Sequence, residues 1–222
     1  EVIGMAEIIA GSREQLRQRP IISMITCMVS PLKIDQRYGD FAVAIAEKGL
    51  PVVCPAEPLC GATSPVTIAG NVLMQTVDSL MGVMLTQIVN PGTPVIMGSV
   101  ATSTDLRNLR YLAGSVEMGL ANAAGAQMAQ FYGIPFYSTG GMTDSKSLDV
   151  QSGYESATTN LLCALAGANF IHDAAGLMEF ALTVCDEKYV VDNEILGMVM
   201  TAPPRRPPSQ RRRRPAPSNR PA

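Results

Sequence analysis

The chain has 222 residues, 47% of them hydrophobic, and a formal net charge of −2, which suffices for one buried core in a single domain. No run of about 18 consecutive apolar residues and no charged-then-apolar leader occurs, so the sequence predicts neither a membrane span nor a signal peptide, and a cytoplasmic protein is expected. The charge is unevenly held: residues 1–202 carry 10 basic against 19 acidic groups, and the seven arginines beyond Pro203 meet no acid.

In chain order, apolar strand candidates fall at 21–27, 50–54, 94–97, 134–138 and 169–172, with helical patterns between them at 36–48, 65–89, 116–132 and 152–166. Gly49, Gly92, Gly133 and Gly167 stand where helix C-caps belong. Ser64 reads as an N-cap with Pro65 at the first helical position, which would turn free amides of the 65–89 helix toward a ligand. A helix-like stretch, 192–201, precedes the last segment. The β-α repeat implies a parallel sheet. A doubly wound sheet would place a glycine-rich phosphate loop after its first strand, and none is present. Polar groups instead follow all five strands: Ser30 and Lys33, Glu57 and Thr63, residues 99–105, residues 139–149, and Asp173. This arrangement predicts an α/β fold of the (β/α)8 TIM barrel kind, here an incomplete barrel of about five β/α units. Residues 1–202 are read as part of that domain. The Arg/Pro-rich stretch 203–222 cannot bury surface and is expected to be disordered, as either a nucleic-acid-binding arm or the end of a truncated or frame-shifted reading. Glu1 opens directly into an apolar run, and the sequence is read as a piece of a longer protein.

The five cysteines, Cys27, Cys54, Cys60, Cys163 and Cys185, form no C-x-x-C pair, and His172 is the single histidine, so reduced thiols and no metal site are expected. The loop after the fourth strand, from Ser138 to Glu155, gathers Asp144, Asp149, Glu155, Lys146 and Tyr154 beside Gly140 and Gly141, more polarity than a connection needs. Asp149 suits an N-cap. Glu57 is the preferred anion of the pocket, or else the partner of a neighbouring arginine. Phe136, Tyr137 and Tyr154, if turned inward together, would box a cation, or else they are packing residues. His172 suits polarisation of a substrate or a supporting role. Lys146 would serve a lyase or aldolase as imine former, or else be a solvated lysine.

Several segments in order, Ala6-Glu7-Ile8-Ile9-Ala10-Gly11, Leu16-Arg17-Gln18-Arg19-Pro20, Ser30-Pro31-Leu32, Gly61-Ala62-Thr63-Ser64-Pro65-Val66-Thr67-Ile68-Ala69-Gly70 and Asp149-Val150-Gln151-Ser152-Gly153-Tyr154-Glu155, resemble the trimethylamine methyltransferase family. The resemblance implies a β/α barrel of about twice this length. It also implies transfer of a methyl group from a methylated amine to the Co(I) of a corrinoid carried by a partner protein, with no cofactor bound by the chain directly. Methanogen members of that family use pyrrolysine, whereas residues 143–147 here are ordinary amino acids, which shifts the expected substrate to a quaternary amine such as glycine betaine. The expected catalytic residues are Glu57, Asp144 and His172. Tyr137, Asp149, Gln151, Tyr154, Glu155 and Thr63 are expected to bind substrate, and a homo-oligomer is expected at full length.

Overall fold

Five short apolar segments lie side by side in their order along the chain, and this ordering dictates the architecture of the computed structural model, which describes residues 1–202. The chain begins with α1 (Val2–Ala10), α2 (Arg13–Gln18), β1 (Met24–Ile25) and α3 (Gln36–Ala46). It continues through β2 (Val52–Ala56), β3 (Leu59–Cys60), α4 (Ile68–Val89), β4 (Val95–Ser99), β5 (Thr102–Asp105), β6 (Arg110–Leu112) and α5 (Val116–Tyr132). It then adds β7 (Phe136–Thr139), α6 (Val150–Ala166), β8 (Phe170–His172), β9 (Leu177–Met178), β10 (Thr183–Val184) and α7 (Asp186–Met200). Strands β1, β2, β4, β7 and β8 pair in parallel in that order.

A doubly wound sheet reverses its strand order at a switch point, and this one never does. Crossovers of one hand therefore stack α3, α4, α5, α6 and α7 each against the next along one convex face. The opposite face is concave, and the sheet is a curled parallel half-barrel with two edges, β1 and β8.

Strand alternation sorts the faces. Phe136 packs into the helix layer with Val83, Met97, Ala126, Ala129 and Ala166. Its neighbour Tyr137 consequently points to the concave side, where it stacks on Phe170 at 5.4 Å between ring centroids. A second cluster of Ala6, Leu16, Ile45, Ala46, Leu50, Val52 and Cys54 fixes α1 and α2 under the first β-α units.

Helix α4 inverts the usual amphipathic pattern. It is the one helix among the described residues long and apolar enough to cross a membrane by length and composition, with a mean hydropathy of 1.4. Yet its sheet-facing side is polar. Ser79 Oγ donates to the Cys54 carbonyl at 2.7 Å and accepts from Gly98 N at 3.1 Å. Gln75 donates to the Ala121 carbonyl at 2.8 Å and accepts from Ser99 Oγ. Asp78 accepts from Ser30 Oγ at 2.5 Å and Leu32 N at 2.8 Å. Gly82 permits this close seating, because a Cβ there would fall 2.8 Å from Cys54 Cβ. Leu73, Met84 and Ile88 are left exposed on the outside.

Several expected boundaries move. Helix α4 starts three residues later than expected: Thr67 Oγ1 caps it by accepting from Gly70 N at 3.2 Å. Ser64 cannot serve as the cap, because its hydroxyl accepts from Asn71 Nδ2 at 2.8 Å in the preceding turn. The first strand shortens to two residues although its ladder resumes at Met28, which pairs with Ala56. Gly133 and Gly167 are left-handed C-caps as expected, whereas α3 and α4 end at Glu47 and Asn90, before Gly49 and Gly92. The final helix begins at Asp186, six residues earlier than its apolar pattern predicts. The expected disorder of residues 203–222 lies outside the described residues.

On α7, Lys188 is wholly buried and spends all three of its donors: on the Gly141 carbonyl at 3.0 Å, Ser156 Oγ at 2.8 Å and Asp192 Oδ2 at 2.5 Å. Asp192 Oδ2 also accepts from Gly176 N at 2.8 Å. Removing one member of such a pair strands the other charge without water. Lys188→Met is expected to lower unfolding free energy by about 3–5 kcal/mol in urea titrations, and Lys188→Met combined with Asp192→Leu by much less. Equal losses in the single and double variants would show that the pair does not act as a unit.

Candidate active site

The C-terminal ends of the five parallel strands bring acidic and aromatic side chains to one rim. Cys27 follows β1, Glu57 follows β2 directly, and the β5–β6 hairpin after β4 carries Tyr111. The loop after β7 carries Asp144, and Asp173 follows β8 in a left-handed conformation with φ of 57°.

Three of these carboxylates act on Tyr111. Burial, then the charges of Glu57, Asp173 and Asp144 in turn, raises the Tyr111 phenol well above its ordinary range. Tyr137 is raised by burial and then by Asp173 and Cys27. The Glu57 side chain is open to solvent along the concave face, while the surrounding protein still withdraws enough water to raise its pKa, with Asp173 adding to the effect.

Asp144 is half-buried, and burial is the main cause that pushes its carboxyl up to about 6. The Glu155 charge adds to this, against the backbone N–H groups of Gly114 and Ala113 that pull it down. Its Oδ1 accepts from Ala113 N at 2.6 Å. Glu155 is buried and fully engaged: Oε2 accepts from Thr143 Oγ1 at 2.5 Å and Asp144 N at 2.8 Å, and Oε1 accepts from Gln151 Nε2 at 2.8 Å. Gly114 has no room for a side chain, since a Cβ there would overlap the Glu155 carboxylate. None of Glu57, Asp144 and Glu155 pairs with a lysine or arginine among the described residues, so the arginine partner considered for Glu57 is not found there.

The structure thus brings Glu57, Asp144, Asp173, Tyr137 and His172 to the concave rim. The His172 ring lies 5.0 Å from Tyr137, and its Nδ1 is 2.8 Å from Asp173 Oδ2. Glu155 and Gln151 sit behind Asp144 as its support. Asp149 is the N-cap of α6, accepting from Ser152 N at 2.9 Å, as its place before the helix predicts. Thr63 Oγ1 is occupied in a tight turn by Leu59 N at 2.9 Å.

The inward aromatic box is corrected. Phe136 faces the helices by strand alternation, and Tyr154 lies exposed on α6, on the side opposite the buried Ser152, Glu155, Ser156 and Thr159. Lys146 is exposed and 3.5 Å from Glu179, the solvated lysine rather than a desolvated imine former. Tyr111 escaped the sequence reading because β6 has only three residues and no periodicity to display. Lys188 escaped it because a lysine on a helix reads as surface. Among the described residues no group of three or more His, Cys, Asp and Glu side chains converges as a metal-ligand set.

Against this geometry, comparison with known proteins is decisive about kinship. A family profile described as trimethylamine methyltransferase matches residues 1–204. The chain belongs to the trimethylamine methyltransferase family. It is 37% identical over 198 residues to a glycine betaine methyltransferase of Desulfitobacterium hafniense, covering 89% of this chain and 41% of that one. It is 40% identical over 192 residues to a trimethylamine methyltransferase of Methanosarcina thermophila, covering 86% of this chain and 40% of that one. This trimethylamine methyltransferase family chain therefore spans about two fifths of the length of the curated relatives it matches.

The strain at Asp144 is measurable. With a folded pKa of about 6 against about 3.9 in an unfolded chain, folding favours the protonated carboxyl. That contribution is present below about pH 4 and is lost as pH rises through 6. Asp144→Asn keeps an acceptor for Ala113 N. It is expected to unfold at higher urea concentration than the unsubstituted protein at pH 8, with the gap narrowing toward pH 4. Coincident midpoints at pH 8 would show that the carboxylate is not strained.

Proposed function

We propose that the rim of Glu57, Asp144 and Asp173 around Tyr111 and Tyr137 captures the ammonium group of a methylated, quaternary amine, and that the full-length protein transfers a methyl group from it. The observation that carries this reading is that the half-buried Tyr111 feels the charges of Glu57, Asp173 and Asp144, and the buried Tyr137 that of Asp173, with no lysine or arginine paired to Glu57 or Asp144 among the described residues. A permanent cation fits such a site, through charge attraction and contact with aromatic faces. The names of the relatives, glycine betaine methyltransferase and trimethylamine methyltransferase, support a methylated amine as donor.

The acceptor belongs to a partner protein in this proposal. A corrinoid cobalt presented at the rim would supply the nucleophile for the methyl carbon. The electron pair of the broken N–CH3 bond stays on nitrogen, so a quaternary substrate departs as a neutral tertiary amine and no protein acid is required.

The positive charge is lost as that bond breaks, so the carboxylates favour the bound substrate over the transition state and act in capture and orientation. The rate advantage then comes from aligning the N–CH3 axis and excluding water, tasks for Tyr111, Tyr137 and the His172 ring oriented by Asp173. We place the described half-barrel within an eight-stranded barrel of the full-length protein, whose remaining strands would cover the two sheet edges. The exposed Leu73, Met84 and Ile88 of α4 support assembly into a homo-oligomer.

Calorimetry with tetramethylammonium and a neutral carbon isostere tests the site. Glu57→Gln is expected to weaken tetramethylammonium binding about tenfold and leave the isostere unchanged, a loss consistent with one charge-assisted contact. Equal losses for both would mean a folding defect. With the full-length protein, methylation of a Co(I) corrinoid protein from a quaternary amine is expected, and none from any methylated amine would overturn the activity.

A further inference from the structure

The two loops that carry Asp144 and Asp173 are both anchored on one ion pair of α7, formed by Lys188 and Asp192. Lys188 Nζ donates at 3.0 Å to the carbonyl of Gly141, three residues before Asp144 in the loop after β7. Asp192 Oδ2 accepts at 2.8 Å from the N–H of Gly176, three residues beyond Asp173 in the loop after β8. We propose that this buried pair is a positioning device for the candidate active site, which sets the spacing of Asp144 and Asp173 and thereby the fit of the site to a cation. The inference rests on the reading of the rim as an ammonium site, and it gives a task in binding to two residues whose hydrogen bonds reach no rim side chain.

Both anchors are rigid. Gly141 and Gly176 hold φ of 89° and 88°, and a side chain would meet the Ala174 backbone at the first and the Tyr189 ring of α7 at the second. Ser156 Oγ accepts from Lys188 Nζ and donates to the same Gly141 carbonyl, each at 2.8 Å, and the preceding residue, Glu155, holds Thr143 Oγ1 and Asp144 N. Between the anchors the loops are laced together: Gly140 N donates to the His172 carbonyl at 3.2 Å and Thr143 N to the Leu177 carbonyl at 3.3 Å. A displacement at the pair is therefore carried to both carboxylates.

Stability alone is a weak reason for such a pair, since apolar residues of similar volume often serve a fold as well or better. Asp192 Oδ1 is moreover buried with no protein partner among the described residues, which lowers the stability the pair supplies.

The test uses the whole chain carrying Lys188→Met with Asp192→Leu, and compares it with Ile195→Ala, which opens a gap at a buried apolar position of the same helix. Thermal unfolding reports the fold, calorimetry reports tetramethylammonium binding, and carbon-13 NMR reports the Asp144 carboxyl. The double variant should stay folded yet bind tetramethylammonium about tenfold more weakly, within the range by which residues that touch no ligand alter affinity. Its Asp144 midpoint should leave the value near 6 and fall toward the ordinary range as the loosened carboxyl regains water. Ile195→Ala should lower the unfolding temperature and keep affinity within about twofold of the unsubstituted chain. An unchanged affinity and midpoint in the double variant would overturn the inference, as would an equal loss of affinity in Ile195→Ala, which would mark a general softening. Should the double variant unfold, Ser156→Ala takes its place, because it removes an acceptor of Lys188 and a donor to Gly141; an unmoved Asp144 midpoint there would overturn the inference too. If the unsubstituted chain binds no tetramethylammonium, the ammonium reading falls, and the Asp144 midpoint alone then decides whether the pair positions the loop.

Discussion

The Lys188 ammonium is the constraint on which the rim depends. It is wholly removed from water, and two of its three hydrogen bonds join α7 to α6 through Ser156 and to the loop after β7 through the Gly141 carbonyl, the third going to Asp192 on α7 itself. Gly141 has φ of 89° and lies against the backbone of Ala174, so no other residue fits that turn. From there the chain runs one residue to Met142, which packs with Ala113 and Met118, then to Thr143 and Asp144, both bonded to Glu155. A cation on the last described helix therefore fixes where the carboxylate of another loop stands. A buried charge is costly, and its retention here fits a role in specifying one loop geometry.

The rim keeps its field because neutral groups hold its carboxylates. Asp144 is bonded by backbone N–H groups, and Glu155 by a hydroxyl, a backbone N–H and an amide. Lysine or arginine in those places would stabilise the fold more and cancel the charge a cationic ligand needs. Local stability is given up for electrostatic attraction, as is common where binding requires unpaired charge. The raised pKa values of Asp144 and Glu57 record that choice.

Much of the framework was legible in the residues. Alternating apolar segments and helical patterns, with Gly133 and Gly167 as left-handed caps and Asp149 before α6, predicted the β-α repeat and the single-direction parallel sheet. Polar residues after each strand located the rim, and Glu57, Asp144, Tyr137 and His172 all lie there. What escaped were properties set by partners distant in sequence. The polar side of α4 faces the sheet because Ser79 satisfies the Cys54 carbonyl of β2 and Gln75 accepts from the Ser99 hydroxyl of β4, partners that no sequence window displays. Tyr154 turns outward because Ser152, Glu155 and Ser156 occupy the buried side of α6. Ser64 lost the capping role to Thr67 because its hydroxyl is taken by Asn71.

The central claim is that a desolvated Asp144 carboxylate helps form a site for a permanent cation, and a carbon-13 NMR titration of the Asp144 side-chain carboxyl, without and with tetramethylammonium, tests it most directly. The account predicts a midpoint near 6 in the free protein, falling by about one unit when the cation is bound, because a nearby positive charge favours the ionised form. A midpoint in the ordinary range near 4 in the free protein, or one that does not move when the cation binds, would contradict it.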